Sequence, residues 1–381
     1  MAPPTILFTA EAAEEQDETY VHSLGLNGLL ELIGLDPSLA SYERSLFAES
    51  MLQYSRRMKT DEENQKLDRT IEGFLGVLSR HFLSHAAQKA LEFLLRHYRI
   101  HRHNSAALVR CILPFHGTRL FVRVAALLRG GDEKAGWLRA AGGERMSVPP
   151  PRTLLVQRAA KEVPLLEHLH ALGSAHAVAS SFSAVAMLEM AAELSFLGGK
   201  EAQLLRTLLE HARQGLTADA AAERRLAGML LLVQLSCRGS LAAEPARLLA
   251  ELVGARLRQA DSAAEARDCL QCLIVLHRLP PLAAVANKNT GAGAAWPPLV
   301  TDVDPTDAAT KATLSAVSDL CTRCDASALL RPLLLQLYEA KDAAPDAAAR
   351  AVLALPVRSL ARPVAALLAS LEAVRLTNLY V

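Results

Sequence analysis

Apolar residues along this chain recur at helical spacing almost everywhere, and no convincing period-two alternation marks a strand. In His85–Ile100, residues Ala87, Leu91, Leu94, Leu95 and Tyr98 fall on one face of a predicted helix. Asn104 is placed to cap a second helix, in which Leu108, Cys111 and Ile112 share a face until Pro114 stops it. Thr118 is placed to cap a third, with Leu120, Val124, Leu127 and Leu128 facing inward and Gly130–Gly131 ending it. Comparable segments are predicted near Glu63–Leu83, Arg152–Leu172, Ala175–Leu197, Glu201–Gly215, Ala220–Ser236 and Pro245–Gln259. Others follow near Ala263–Leu279, Ala308–Cys324, Ala328–Ala340 and Arg358–Thr377.

A helix pair with one apolar face cannot bury that face alone, so such a succession stacks on its neighbours. The expected fold is all-α, a HEAT/armadillo-like α-solenoid with degenerate repeats of about 40–47 residues. A compact all-α domain is the competing architecture. Two breaks divide the pattern. Ala141–Pro151 ends in a triple proline, and Pro280–Pro305 is rich in Pro, Gly, Ala and Asn. The expected organisation is therefore an N-terminal helical region over 1–140, a repeat array over 152–279, an exposed connection over 280–305, and further repeats over 306–381.

Composition supports this picture. The 381 residues are 51% hydrophobic but only 4% aromatic, which suits helices packed through aliphatic ridges. The opening MAPPTILFTAEAAEEQDE has no basic segment before its apolar run and is not read as a signal peptide. Ala175–Leu197 is long enough to span a membrane, but His176, Glu189 and Glu193 interrupt it, so it reads as a buried helix. Six cysteines without a secretory signal indicate a reducing compartment. An intracellular, soluble protein is expected.

The net charge is only +1, yet no acid occurs from Phe93 to Gly131, an interval holding seven arginines and four histidines. Arg96, Arg99, Arg102, Arg110, Arg119 and Arg123 are the candidate contacts to an anionic or acidic partner. Arg119 and Arg123, four apart, are expected on one exposed face. Few aromatics lie outside core positions, which disfavours base stacking and favours contact with a backbone or with protein.

Other constellations read as structural. Cys269/Cys272 and Cys321/Cys324 have zinc-pair spacing but sit in apolar helical runs, the latter pair in a stripe with Leu314 and Val317. His97, His101 and His103 cluster at a helix end among arginines, which repel a cation. Gly198-Gly199-Lys200 lacks the earlier glycine and the following Ser or Thr of a phosphate loop. No metal site, cofactor or catalytic constellation is expected.

The block LEFLLRHYRIHRHNSAALVRCILPFHGTRLFVRVAALL resembles the N-terminal region of the U3 small nucleolar RNA-associated protein 10 family, the large nucleolar HEAT-repeat proteins. The residues that carry it include Tyr98, Ile100, His101, Asn104, Leu113, Pro114, Phe115, His116, Thr118, Phe121, Val122 and Arg123. Leu29, Gly34, Asp36 and Pro37 resemble the family's opening segment, and DCLQCLIVL a later helix more weakly. Gly117 departs from the pattern, standing where members tend to carry an acid. Family proteins are several-fold longer, so the chain corresponds to the N-terminal arm alone.

The resemblance implies a non-enzymatic scaffold in ribosome biogenesis, in the nucleolus, within the early subcomplex on the 5′ external transcribed spacer of pre-ribosomal RNA. It implies WD-repeat proteins, pre-ribosomal RNA and U3 small nucleolar RNA as partners, a place in nucleating the small-subunit processome, and a link to ribosomal DNA transcription. A cytosolic helical-repeat adaptor, for example in trafficking, is the alternative that the same helices would build.

Overall fold

A computed structural model describes residues 3–128, 148–193, 201–217, 219–238, 243–278, 297–300, 307–323 and 327–339. No strand occurs among them, and the fold is all-α and HEAT/armadillo-like, as the periodicity predicts. The chain forms two compact units, Met1–Lys200 and Glu201–Val381.

The first unit opens with a short helix α1 (Ala10–Glu14) and the longer α2 (Glu18–Ile33), followed by α3 (Ser41–Leu46), α4 (Glu49–Leu52) and α5 (Asp61–Leu78). Next come α6 (His85–His97), α7 (Ile100–His103), α8 (Ser105–Ile112) and α9 (Arg119–Leu128). Three more follow among the described residues: α10 (Arg152–Ala159), α11 (Val163–Leu172) and α12 (Ala177–Glu193). Caps explain several starts. The Asp17 carboxylate accepts from Tyr20 N–H at 2.6 Å, and Thr60 and Glu63 form a reciprocal capping box. The Thr118 hydroxyl accepts from Phe121 N–H at 3.2 Å, which is the cap read from the sequence.

α2 lies against α6 so closely that two of its positions require glycine. A Cβ on Gly28 would lie 2.5 Å from the Ala86 carbonyl oxygen and 2.7 Å from Lys89 Cβ, and one on Gly25 would collide with Phe93. The Lys89–Glu31 ion pair, at 2.7 Å, ties the same two helices. Gly28→Ala is therefore expected to destabilise the unit by about 1–3 kcal/mol through overpacking, despite alanine's better helix propensity. Urea unfolding checks this, and an unchanged midpoint would contradict it.

Beneath α2 and α6 the core is aromatic. Phe47 packs on Phe74 and Phe93 at ring separations of 5.6 and 5.1 Å, and Tyr42 meets Phe74 edge-on at 5.2 Å. The aliphatic ridges expected from composition are supplemented here: among the described residues, the fully buried phenylalanines Phe47, Phe74, Phe82, Phe93 and Phe121 all belong to the first unit's core. Next, α5 packs on α8, and α8 on α11. The Ser79 hydroxyl donates to the Cys111 carbonyl at 2.8 Å and accepts from His176 Nε2 at 2.9 Å, which fixes the start of α12 against α8.

The structure corrects several details of the predicted elements. The helix expected over His85–Ile100 ends at His97, because Arg99 takes left-handed angles (φ 53°, ψ 44°) that interrupt the ladder. Asn104 stands at the start of α8 without capping it, since its buried amide turns toward the Asp68 carbonyl at 3.4 Å. The buried face of α9 is Phe121, Val124, Ala125 and Leu128, with Leu120 and Leu127 only half-buried. Arg152–Leu172 is two helices rather than one, with Pro164 in the first turn of the second.

The second unit contains α13 (Glu201–Gly215), α14 (Ala222–Cys237), α15 (Ala243–Leu257), α16 (Ala263–Arg278), α17 (Ala308–Arg323) and α18 (Ser327–Glu339). α16 is central, packing on α14, α15, α17 and α18. α13 and α14 cross at Gly215 and Gly228, where a Cβ would lie 2.6 Å from the Arg224 oxygen and 2.9 Å from the Ala212 oxygen. Of the connection expected to be exposed over 280–305, residues 297–300 are described, and these are docked. Leu299 is buried, with its N–H donating to Gln336 Oε1 at 2.8 Å. The helix predicted near Arg358–Thr377 and the Gly198-Gly199-Lys200 turn lie outside the described residues. Among the described residues, no helix is long and apolar enough to cross a membrane.

Candidate functional site

The acid-free block does not form one basic face. The six candidate arginines are distributed over four environments by the helices that carry them.

Arg96 is turned inward, contrary to its reading as a surface contact. Its Nε donates to Glu92 Oε1 at 2.8 Å, its Nη1 to the Ala13 carbonyl at 3.1 Å, and its guanidinium lies 5.4 Å from the centre of the Phe8 ring. Glu92 is fully buried, and its other oxygen accepts from the backbone N–H groups of Ile6 and Leu7 at 2.8 and 3.2 Å. The pair is an internal clamp. Burial of a charge is tolerated only with such pairing, here complete for the carboxylate, while Arg96 Nη2 is buried without a hydrogen-bond partner among the described residues. Arg123 is exposed, but its Nη1 donates to the Ile6 carbonyl at 3.0 Å. Both backbone groups of Ile6 are thus satisfied by side chains, which lets this residue of a non-helical segment lie buried against α6 and α9.

Arg110 is half-buried beside a small cavity of about 180 Å³ that also touches Glu72. Arg119 is exposed at the start of α9, four residues from Arg123 as the spacing requires. Arg99 and Arg102, one helical turn apart around α7, are also exposed. These last two meet Arg56 and Arg57 of another segment in a cleft of about 980 Å³. Nothing local in the sequence announces that Arg56-Arg57 faces Arg99.

The floor of the cleft is held by ion pairs. Arg56 Nη2 donates to Asp68 Oδ1 at 2.6 Å, and the Asn64 amide donates to the Arg56 carbonyl at 3.0 Å. His97 stacks on Phe93 at 5.2 Å and sets its ring nitrogens against Glu18 Oε1 at 2.7 Å and the Met51 carbonyl at 2.9 Å. A carboxylate does therefore face the His97–His103 cluster, but it serves as a helix-to-helix tie. Burial, aided by Arg56, holds the pKa of His103 below its ordinary value. Among the described residues, no group of three or more His, Cys, Asp or Glu side chains is placed to hold a metal.

The residues of the family-like motif carry packing and capping. Ile100, His101, Asn104, Leu113 and Phe121 are buried, Pro114 and His116 are half-buried, and Thr118 caps α9. His116 packs on the Phe182 ring at 5.1 Å, joining this motif to α12. The Tyr98 hydroxyl donates to the Leu46 carbonyl at 2.6 Å. Cys269 and Cys272 are buried in α16, where desolvation pushes both thiols up, Cys269 to about 12. Cys272 Sγ lies 3.8 Å from the Met229 carbonyl. Cys321 is half-buried next to buried Leu314 and Val317, and Cys324 lies outside the described residues.

No family profile matches the chain. Similarity to curated proteins is nevertheless clear. HEAT repeat-containing protein 1 of Danio rerio is 34% identical over 163 residues, which are 43% of this chain and 8% of that protein. The Homo sapiens protein of the same name is 34% identical over 168 residues, 44% of this chain and 8% of that protein. U3 small nucleolar RNA-associated protein 10 of Yarrowia lipolytica is 28% identical over 163 residues, 43% of this chain and 10% of that protein. The matched stretch therefore covers only a small part of each relative's length. Over about 43% of its residues, the chain is homologous to the proteins named HEAT repeat-containing protein 1 and U3 small nucleolar RNA-associated protein 10, the family its sequence resembles.

Proposed function

We propose that this chain is a non-enzymatic scaffold in ribosome biogenesis, acting in the nucleolus as the N-terminal arm of a small-subunit processome component. Its role is early pre-rRNA assembly and processing, linked to rDNA transcription. Its partners are WD-repeat proteins of the early subcomplex, with pre-ribosomal RNA and U3 small nucleolar RNA alongside. The homology to relatives named for association with U3 small nucleolar RNA carries this reading. The exposed arginines on α7 and α9 supply a surface of the right sign.

A tagged full chain should concentrate in nucleoli and co-purify with pre-ribosomal RNA. A chain spread through the cytosol, with no such RNA, would replace this reading with the adaptor one. Arg119→Glu with Arg123→Glu should keep the helical circular dichroism signal while association falls about tenfold, or about 1.4 kcal/mol. The thermal midpoint should drop slightly, because Arg123 also donates to the Ile6 carbonyl. Survival of co-purification after nuclease treatment would assign the contact to protein. Unchanged association in the double variant would leave α9 a solvated face.

A further inference from the structure

The cleft beside α7 is built in a way that selects its occupant. Leu52 is the single aliphatic side chain in its lining, so there is no apolar socket for a peptide anchor. Asp68 is already engaged by Arg56 at 2.6 Å, and Glu18 by His97 at 2.7 Å. Asp61 is then the remaining carboxylate of the lining, set against three guanidinium groups. Arg57, Arg99 and Arg102 are all exposed, and none makes an ion pair or side-chain hydrogen bond among the described residues. The cleft thus keeps an uncompensated positive charge.

Arg99 adds a second, independent observation. It is the one non-glycine residue with positive φ among the described residues. It occupies the position after a helix end where glycine is favoured. Its neighbours fix it there, with Tyr98 bound to the Leu46 carbonyl at 2.6 Å and Ile100 fully buried. The backbone is strained while the side chain it presents has no ion pair or hydrogen bond among the described residues. Strain of this kind concentrates where a side chain serves a ligand. Arg102 follows on the same turn, its N–H bound to the Arg99 carbonyl at 2.8 Å.

We propose that this cleft binds the phosphodiester backbone of RNA, with Arg57, Arg99 and Arg102 each engaging a phosphate. Guanidinium forks match phosphate oxygens, and an open polar trough admits a strand without reading its bases. The choice of RNA over other polyanions rests on the ribonucleoprotein reading above.

The test uses the full chain and a fluorescein-labelled oligouridylate of about 12 nucleotides, a length that exceeds the few nucleotides a single groove contacts. Anisotropy is recorded over a range of salt. Arg57→Gln/Arg99→Gln/Arg102→Gln should weaken binding at least tenfold at low salt. It should also lower the salt slope by about 2, from three single-strand contacts at about 0.7 each. A charge-matched control, Arg44→Gln/Lys66→Gln/Arg69→Gln, alters exposed residues that do not line the cleft and should change neither quantity. Arg99→Gly separates binding from folding, because glycine relieves the left-handed turn: the thermal midpoint should hold or rise while RNA affinity falls.

Equal affinity and slope in the triple variant would overturn the proposal, as would an equal loss in the control. Competition by polyglutamate as effective as by RNA would assign the cleft to an acidic protein instead. Nucleolar co-purification is scored separately. A chain that co-purifies with pre-ribosomal RNA but does not bind the oligonucleotide overturns the cleft alone. One that binds it through the cleft but stays out of nucleoli overturns the scaffold reading alone.

Discussion

Glu92→Ala is expected to destabilise the first unit by about 3–5 kcal/mol, because it removes one partner of a buried ion pair. The carboxylate is fully buried and receives three donors, the N–H groups of Ile6 and Leu7 and the Arg96 Nε. Truncation leaves the Arg96 guanidinium paired only with the Ala13 carbonyl and the Phe8 ring, and strands two backbone amides. Glu92→Gln, which keeps an acceptor but loses the charge, should cost less. Glu92→Leu/Arg96→Leu should cost less than the sum of its single variants, since two apolar groups replace a pair rather than exposing half of it. Urea unfolding of the four proteins measures this. A loss below about 1 kcal/mol in Glu92→Ala would show that water enters and solvates the site.

The same residues mark how far the sequence can be read. Ala87, Leu91, Leu94, Leu95 and Tyr98 are all buried as their spacing predicts, because helical period and a single apolar face are local properties. Glu92 lies one residue before the acid-free interval, and it is four residues from Arg96 on the same helix. That spacing permits the ion pair, which the reading of Arg96 as a partner contact passes over. The other role of Glu92, accepting from Ile6 across 86 positions of chain, has no local signature. α9 is apolar on most of its circumference, so periodicity chose Leu120 and Leu127 where packing chose Phe121 and Ala125. The break at Arg99 was hidden for a different reason. Left-handed turns usually announce themselves by glycine, and here an arginine carries one.

A compositional block likewise says that charge is present and not where it points. Six arginines within 28 positions (96 to 123) are distributed by α6, α7, α8 and α9 into an internal clamp, a cleft, a half-buried cavity edge and an exposed face. Only geometry brings Arg57 to Arg99 and Arg102, because the segment that carries it lies more than 40 residues earlier in the chain. The motif residues behave in the opposite way. His101, Asn104 and Phe121 look like a chemical signature in one dimension, and in three they hold α6–α9 together.

Acid should weaken both units well above the range where carboxylates titrate. His101 in the first unit and His277 in the second are buried, and each is held down to about 4 from an ordinary 6.5. Desolvation is the main cause for both, and for His101 the charges of Arg102 and Arg99 add to it. Between those values the unfolded chain takes up a proton that the native state refuses. Stability therefore rises with pH across this window and falls as pH drops from about 6.5 to about 4. Full depression of one histidine corresponds to about 3 kcal/mol at the acid end of the window, an upper bound if water reaches the ring. The carboxylates of half-buried Asp36 and exposed Glu63, held below their ordinary values by hydrogen bonds from Ser38 and from Lys59 and Thr60, add to the loss only at the acid end of that window and below it. Thermal midpoints recorded from pH 7 down to about 4.5 should fall for the native chain. His101→Gln should flatten the part of that fall that belongs to the first unit. If His101→Gln and the native chain decline in parallel, the buried imidazole is not the group being protonated. Protonation would then have to be sought at His116 or His176, whose pKa values burial also lowers, on the contacts that join α12 to the motif helices.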